Sequence, residues 1–397
     1  MNYSFSDRVQ SLKPSAIREI FKYASDPTYI SLSAGNPSPD AFPHKQISEI
    51  SSKLLSENPI LALQYSFTEG YPALRATLSE YMKKNHNVGN ENDDILITSG
   101  AQQIVDLLSK SVLNEGDTVI CESPSFIGSL NTFRSYNAKL KGVAMQADGI
   151  DTIALEEALK TEKNVKIIYV IPNFQNPSGI TMSLEKRKKV YELALKYNVL
   201  ILEDNPYGDL RYEGEHIPCI KSFDTENIVI YAGSFSKVIS PGMRIGYSIA
   251  PKEIHAKMVV CKQGQDVHSN IWSQVICQKF MKEYDFNKHL EFLRELYKKK
   301  RLFLLDLMEK NLKPHITWDK FEGGLFTWCH LPKEIDMLEF CKKAVERKVC
   351  VVPGNAFLTD ENETCDAFRI NFSTPTDQQL QKGIEVLGQL IKEMVGE

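Results

Sequence analysis

Short apolar runs alternate with longer amphipathic stretches through the middle of the chain. The runs, rich in β-branched residues, are 95–98, 118–122, 166–171, 199–203, 228–232 and 245–250. The stretches 102–113 and 184–197, which lie between such runs, carry apolar residues at helical spacing. This alternation is typical of α/β units around a largely parallel sheet. We therefore predict an α/β fold whose ligand site follows the carboxyl ends of the strands.

The pattern changes after about residue 285. A long charged amphipathic helix is predicted first, followed by strands and two further helices. The predicted helices cover 286–313, 335–347 and 376–394, and the predicted strands cover 321–331, 349–353 and 368–372. We predict a large α/β domain over 46–285 and a smaller α+β domain made of 1–45 and 286–397.

Composition and charge narrow the class of protein. The 397 residues carry a formal net charge of -4 and a pI near 6.1, which favour neither nucleic acid nor an anionic membrane as a partner. The eight cysteines show no zinc-ligand spacing, so neither a metal site nor a disulfide scaffold is expected. No apolar run reaches the ~18 residues of a spanning helix. We expect a cytoplasmic protein.

The most informative motif follows the apolar run 228–232. Ser234, Ser236 and Lys237 come directly after it, and Arg244 follows a Pro-Gly turn. Hydroxyl donors beside a guanidinium suit a phosphate dianion, and a lysine held next to such a cation has a lowered pKa and becomes nucleophilic. A strand end with a solvated lysine is the alternative, which the Pro-Gly-x-Arg-x-Gly continuation disfavours.

This segment resembles the Schiff-base lysine region of the class I and II aminotransferases, which depend on pyridoxal 5'-phosphate and have fold type I. Further motifs in the family's order extend the resemblance over essentially the whole chain, and they most resemble the subgroup of 2-aminoadipate, kynurenine and aromatic amino acid aminotransferases. The resemblance implies a mostly parallel seven-stranded sheet in the large domain. It also implies that Lys237 binds the cofactor covalently and acts in catalysis.

Polar residues after two neighbouring strands extend the resemblance. Asp204 directly follows the run 199–203. A buried carboxylate there requires a cation, which a protonated cofactor ring nitrogen would supply. Tyr207, one turn later, and Asn176, in an Asn-Pro-Ser-Gly sequence after 166–171, are implied partners of the cofactor's phenolic oxygen. Asp204 and Tyr207 are assigned to catalysis and Asn176 also to substrate binding. An ordinary turn or cap is the alternative for each.

Two further segments are implied to contact the cofactor. The backbone amides of Gly100, Ala101 and Gln102 open a predicted helix and can face the phosphate, although Ala101 lacks the hydroxyl that many relatives carry. Phe126 is implied to stack on the pyridine ring, where relatives often have tyrosine. An ordinary helix cap and a core phenylalanine are the respective alternatives.

Four residues far apart in the chain complete the implied site. Arg369, inside a short apolar strand, suits the α-carboxylate of an amino acid, or else forms a structural salt bridge. Gly35 allows close backbone approach to the substrate. Arg18 could meet a side-chain carboxylate or could simply be solvated. Tyr65 matches a tyrosine that reaches the phosphate of the neighbouring subunit, which implies a homodimer with shared active sites.

The implied activity is ping-pong transamination, in which an amino group moves from an L-amino acid to a 2-oxo acid such as 2-oxoglutarate. A β-lyase built on the same cofactor site is one alternative. A ligand-sensing module of the MocR regulator type is another. It is disfavoured because no basic helix-turn-helix segment precedes the aminotransferase-like region.

Overall fold

The computed structural model describes residues 3–10, 26–360 and 362–397. Fourteen β-strands occur in this part of the chain. In chain order they are β1 (Ile30–Ser31), β2 (Asp93–Thr98), β3 (Thr118–Ser123), β4 (Lys139–Gln146), β5 (Gly149–Ile150), β6 (Val165–Val170), β7 (Leu200–Asp204), β8 (Val229–Ser234), β9 (Gly246–Pro251), β10 (Thr317–Trp318), β11 (Phe326–His330), β12 (Val349–Cys350), β13 (Val352–Pro353) and β14 (Ala367–Asn371).

The large sheet has the strand order β2-β9-β8-β7-β6-β3-β4-β5. The pairs that join β8, β7, β6, β3 and β4 are parallel, whereas β9 runs antiparallel to β2 and β8. The mostly parallel α/β sheet is confirmed. It has eight strands rather than seven because the two-residue β5 folds back antiparallel onto β4.

The helices in the described residues cover both faces of this sheet and build the smaller part. They are α1 (Asp7–Gln10), α2 (His44–Glu57), α3 (Pro59–Leu63), α4 (Pro72–His86), α5 (Ala101–Val112), α6 (Ile127–Ser135), α7 (Thr152–Thr161), α8 (Leu184–Tyr197), α9 (Lys252–Gln263), α10 (Ile271–Glu283), α11 (Phe286–Asn311), α12 (Met337–Glu346) and α13 (Asp377–Val395), with short 3-10 helices at Pro39–Ala41, Ile220–Phe223, Pro241–Met243 and Gly354–Phe357.

Local sequence explains where α8 begins and ends. The Ser183 hydroxyl accepts a hydrogen bond from the backbone N–H of Lys186, which caps the first turn. Asn198 ends the helix in the left-handed conformation, with φ of 54°, which asparagine adopts more readily than most residues.

Alternating side chains of the central strands pack on opposite faces of the large sheet. Ile167 and Tyr169 of β6 join an apolar cluster with α5 and α9, whereas Ile168 and Val170 join a second cluster with α7 and α8. Both faces are therefore covered, as expected for a parallel sheet. Asp204 and Ser234, which line a cavity, lie at the carboxyl ends of their strands, outside these clusters.

The smaller part contains a four-stranded sheet of order β10-β11-β14-β13. The N-terminal strand β1 pairs in parallel with β12, so residues early in the chain contact the C-terminal region. The division at residues 45 and 286 stays a prediction. All eight cysteines lie in the described residues and none forms a disulfide. No described helix is long and apolar enough to cross a membrane.

Candidate active site

A cavity of about 450 Å³ opens at the carboxyl edge of the large sheet. Segments that follow β2, β3, β6, β7 and β8 meet there, because these strands point in the same direction. Most residues predicted from the sequence line it: Gly35, Ala101, Gln102, Phe126, Asn176, Asp204, Tyr207, Ser234, Ser236, Lys237, Arg244 and Arg369.

Lys237 lies at the centre of this group. Its Nζ donates a hydrogen bond to the Gly35 carbonyl oxygen at 2.8 Å. Burial, together with the positive charges of Arg369 and Arg244, lowers the pKa of the amine to about 8. An amine with this pKa is still mostly protonated near neutral pH, but its neutral fraction is far larger than that of a solvated lysine, which makes it a better nucleophile and base.

Asp204 ends β7 in a buried position. The Tyr169 hydroxyl donates to its Oδ2 at 2.8 Å, whereas its Oδ1 is buried without a hydrogen-bond partner in the described residues. Burial raises the pKa of this carboxyl to about 6, and the tyrosine hydrogen bond opposes that rise. A buried acceptor without a partner is costly, so Oδ1 is suited to a cationic donor supplied by a ligand.

An anion-binding surface lies at the other end of the cavity. The Arg244 guanidinium is fixed by the carbonyl oxygens of Ser99, at 3.1 Å, and Pro241, at 3.2 Å. Its Nη1 also lies 3.5 Å from the Ser236 hydroxyl. Gly100 precedes α5 with φ of 77°, and a Cβ at this position would collide with the guanidinium. Glycine therefore suits this position for two reasons: the backbone has a positive φ, and the guanidinium occupies the place of a Cβ.

The first turn of α5 contributes to the same surface. No described side chain caps the N-terminus of this helix, so the backbone amides of Ala101 and Gln102 can donate hydrogen bonds to an anion. The Gln102 side chain instead donates to Gly128 and Thr132. The structure thus places the predicted phosphate residues together, and a ligand phosphate fits their donors.

Arg369 on β14 is buried at the substrate side of the cavity. Its Nη1 donates to Asn176 Oδ1 and its Nη2 to the Ser33 carbonyl oxygen, both at 2.7 Å, while Nε has no partner in the described residues. The guanidinium lies over the rings of Phe326 and Phe357, 4.3 and 5.0 Å from their centroids. Burial lowers its pKa to about 10. In the part of the chain that the structure describes, Arg369 forms no salt bridge, so its charge suits an incoming carboxylate.

Asn176 joins the substrate side of the cavity to its centre. Its Nδ2 donates to the Tyr207 hydroxyl at 3.4 Å, and its Oδ1 accepts from Arg369. Burial raises the pKa of Tyr207, which keeps the hydroxyl protonated and able to donate. Phe126 immediately precedes α6 and lines the opposite wall.

The structure does not bring Tyr65 to this cavity. Tyr65 is 83% exposed and packs edge-on against the His268 ring at 5.8 Å. Its predicted role belongs to a neighbouring subunit's site and stays a prediction. Arg18 lies outside the described residues.

The sequence reasoning missed several residues of the site. Tyr169 and Ser129 form a hydrogen-bonded chain to Asp204, and Phe326 packs against both Tyr207 and Arg369. Strand alternation could have identified Tyr169, since it shares a face with the cavity residue Ile171. No local motif marks Ser129 or Phe326.

The comparisons with known proteins agree with this geometry. Residues 27–387 match the family model for aminotransferase class I and II. The chain belongs to this family. It is 38% identical to aromatic-amino-acid aminotransferase 1 of Thermococcus litoralis, over 98% of this chain and 94% of the relative. It is 33% identical to 2-aminoadipate transaminase of Thermus thermophilus, over 98% and 96% of the two chains.

A solved structure extends the agreement to the fold. The kynurenine aminotransferase of Pyrococcus horikoshii superposes with a TM-score of 0.95 and 35% identity, covering 99% of this chain and 98% of that one. The predicted family, subgroup and fold type I are confirmed. The protein is a pyridoxal-phosphate-dependent aminotransferase of the aromatic, aminoadipate and kynurenine type. The orphaned Asp204 Oδ1 and the Gly100–Arg244 surface fit this cofactor.

Proposed function

We propose that this cytoplasmic enzyme moves an amino group from an L-amino acid to a 2-oxo acid such as 2-oxoglutarate by a ping-pong mechanism. One observation carries the proposal. The amine of Lys237 shares a cavity with Arg369, Arg244 and the unpartnered oxygen of Asp204. This arrangement supplies a nucleophile, a carboxylate partner, a phosphate partner and a ring-nitrogen partner in one place.

The cofactor residues have distinct proposed tasks. When bound, pyridoxal phosphate draws electrons from the substrate Cα and so allows its proton to leave. Asp204 Oδ1 accepts a hydrogen bond from the ring nitrogen and keeps positive charge there. Ser234, Ser236, Arg244 and the amides that open α5 hold the phosphate. Asn176 and Tyr207 donate to the phenolic oxygen, and Phe126 packs against the ring.

Lys237 is the proposed base and acid. Its amine takes the proton from the substrate Cα and would then deliver it to the C4′ carbon of the cofactor. Burial and two nearby arginines keep this amine neutral at a lower pH than a solvated lysine, so the proton can be accepted near neutrality.

Arg369 is the proposed carboxylate partner. Its guanidinium is already fixed by Asn176 and Ser33, so binding costs little reorganisation. A carboxylate held there fixes the orientation of the Cα–H bond with respect to Lys237. Gly35 packs closely on the cavity wall, since a Cβ there would approach the Phe326 ring at 3.2 Å, and it is the proposed point of close backbone approach to the substrate.

We propose an aromatic or aminoadipate-like amino acid as donor. The relatives' names support this range, and Phe126, Ile127 and Phe326 supply apolar walls for a ring or an aliphatic chain. Arg18 is the proposed partner of a side-chain carboxylate. Arg18→Ala should reduce activity toward dicarboxylic donors and spare aromatic ones, whereas equal losses would reject the assignment.

We also propose that two copies of the chain share their active sites through Tyr65. Its exposed ring lies near exposed Leu63 and Phe67, an apolar surface that a second copy would cover. Mixing inactive Tyr65→Ala and Lys237→Ala proteins should restore activity in hybrid dimers, because one site of each hybrid is then intact. Absence of any recovery in verified hybrids would reject the shared site.

The deciding experiment is visible absorption of the cofactor-loaded protein before and after adding single amino acids without an oxo acid. Conversion of the lysine-bound cofactor band to the amine form, absent in Lys237→Ala, would establish the first half-reaction and rank donors. Release of ammonia and pyruvate would instead show a lyase. A band that no amino acid converts would overturn the proposal.

A further inference from the structure

A chain of buried hydroxyl groups connects Ser129, which lines the cavity, to Asp204. The Ser129 hydroxyl donates to the Tyr169 hydroxyl at 2.9 Å, and the Tyr169 hydroxyl donates to Asp204 Oδ2 at 2.8 Å. All three side chains are at least 95% buried. No solvent competes for these hydrogen bonds, so their direction is fixed by the protein.

The Tyr169 hydroxyl is a permanent donor. Burial, the nearby Asp204 charge and neighbouring groups raise its pKa well above the ordinary value, so the phenol keeps its proton wherever the enzyme works. Because Oδ2 is occupied, Asp204 presents only Oδ1 as a free acceptor. The tyrosine therefore determines which oxygen of the carboxylate remains available.

The same hydrogen bond affects the basicity of the carboxylate. A donor to Oδ2 stabilises the ionised form and makes Asp204 a weaker base. A weaker base leaves more of a shared proton on its partner. Without the phenol, a carboxylate in this buried position would compete more strongly for that proton.

We propose that Tyr169, held by Ser129, is a positioning residue that keeps the proton on the cofactor's ring nitrogen rather than on Asp204. The proposal rests on the proposed role of Asp204 as the ring-nitrogen partner. Tyr169 itself touches neither substrate nor cofactor and acts through the carboxylate.

Ser129 connects the hydrogen-bonded hydroxyl groups to the cavity wall. It lies in α6 between Gly128, which lines the cavity, and Asn131, which lines it one turn further. A displacement of this wall would change the Ser129–Tyr169 contact and thereby the carboxylate. The hydrogen bonds from Ser129 to Tyr169 and from Tyr169 to Asp204 therefore form a polar link between the α6 wall and the carboxylate.

The test uses the enzyme loaded with pyridoxal phosphate that carries ¹⁵N in its ring. In Tyr169→Phe the ring-nitrogen resonance should move toward the position of an unprotonated pyridine. Cofactor release, measured by dialysis and fluorescence, should be about 10- to 100-fold faster, as expected for losing a hydrogen bond to a charged group. A resonance that does not move would overturn the proposal, whatever happens to activity.

Three further variants control this result. Ser129→Ala should move the resonance in the same direction by less, and it decides the question if Tyr169→Phe does not fold. Tyr231→Phe is the matched control, because it deletes a buried hydroxyl whose hydrogen-bond partners in the described residues, Asn205 and Tyr247, carry no charge, and its resonance should not move. Asp204→Asn tests the underlying assignment. If Asp204→Asn leaves the resonance unchanged, Asp204 is not the partner of the ring nitrogen. If Asp204→Asn moves the resonance and Tyr169→Phe does not, Asp204 keeps its assignment and only the role of Tyr169 fails.

Discussion

Two arginines lie at opposite ends of the cavity, in opposite environments. Arg244 is exposed and is fixed by the carbonyl oxygens of Ser99 and Pro241. Arg369 is only 3% exposed, and its guanidinium lies over two aromatic rings. Burial lowers the pKa of Arg369 to about 10, a sign that its charge is poorly compensated before a ligand binds.

The comparison shows how one cavity can treat two anions differently. In the proposed site a phosphate would be shared among several donors, of which Arg244 is exposed, so that arginine should contribute modestly. A carboxylate meets one desolvated cation, so most of its binding depends on that residue. Lys237 lies between them and is affected by both charges.

The largest effect should come from Arg369→Lys. Lysine keeps the charge but loses the planar fork and the stacking on Phe326 and Phe357. We expect kcat/KM for the amino acid to fall about 10- to 100-fold, the equivalent of about 1.5–3 kcal/mol for a hydrogen bond to a charged group. Steady-state kinetics would show this, while cofactor affinity should stay close to that of the unchanged enzyme. An unaltered kcat/KM would remove Arg369 from substrate binding.

Gly100→Ala tests the packing on which the exposed arginine depends. Alanine at a φ of 77° is strained, and its Cβ would displace the Arg244 guanidinium. We expect cofactor affinity to fall about tenfold, from roughly 1–2 kcal/mol of strain together with the displaced cation. Gly116→Ala is the matched control, because its φ is 82° and no atom lies within 4 Å of the added Cβ. Equal cofactor affinity in the two variants would contradict the argument.

Arg244→Lys should have a smaller effect. An exposed charge contributes about 1 kcal/mol or less, so the cofactor dissociation constant should rise less than about tenfold. The difference from the unchanged enzyme should shrink as salt is added, because exposed charges are screened. The same salt series on Arg369→Lys should leave its kcat/KM deficit nearly constant. If salt reduced the loss of cofactor affinity in Arg244→Lys and the loss of kcat/KM in Arg369→Lys to the same extent, the distinction between the two arginines would be wrong.

Local motifs predicted one of these arginines more directly than the other. Arg244 follows Lys237 by seven residues, so chain proximity alone brings it to Ser236 and the strand end. Arg369 meets Asn176 across 193 residues of sequence, and only the family resemblance placed them together. The aromatic sandwich around Arg369 depends on three separate segments, which no local pattern encodes.

The fold shows the same limit. Buried central strands were predicted because they are continuously apolar, whereas β4 was missed, a strand that only the two-residue β5 covers on its outer side. Its sequence, KLKGVAMQ, is exposed or half-exposed at all positions except Val143. A strand so close to the edge of the sheet buries too little surface to show a hydrophobic pattern. Tyr169 was read as an ordinary strand residue because its hydroxyl contact depends on the register of two adjacent strands.

The finest test concerns Lys237, whose pKa of about 8 reflects burial first, then Arg369, then Arg244. Each guanidinium repels the protonated amine, so removing either charge should raise the pKa. Arg369→Met should therefore raise it more than Arg244→Met. The pKa of Lys237 is measured as the midpoint of the pH dependence with which the cofactor-free protein reacts with an uncharged, amine-modifying reagent. The Lys237→Ala protein gives the background from the other lysines.

The sign of this shift has a functional consequence. A higher pKa leaves a smaller neutral fraction at pH 7, so both variants should react more slowly there and recover at alkaline pH. If neither midpoint moved, burial alone would set the pKa of the amine. If Arg244→Met moved it more, the exposed arginine would act on Lys237 more strongly than the buried one, and the contrast between the two ends of the cavity would fail for the lysine that lies between them.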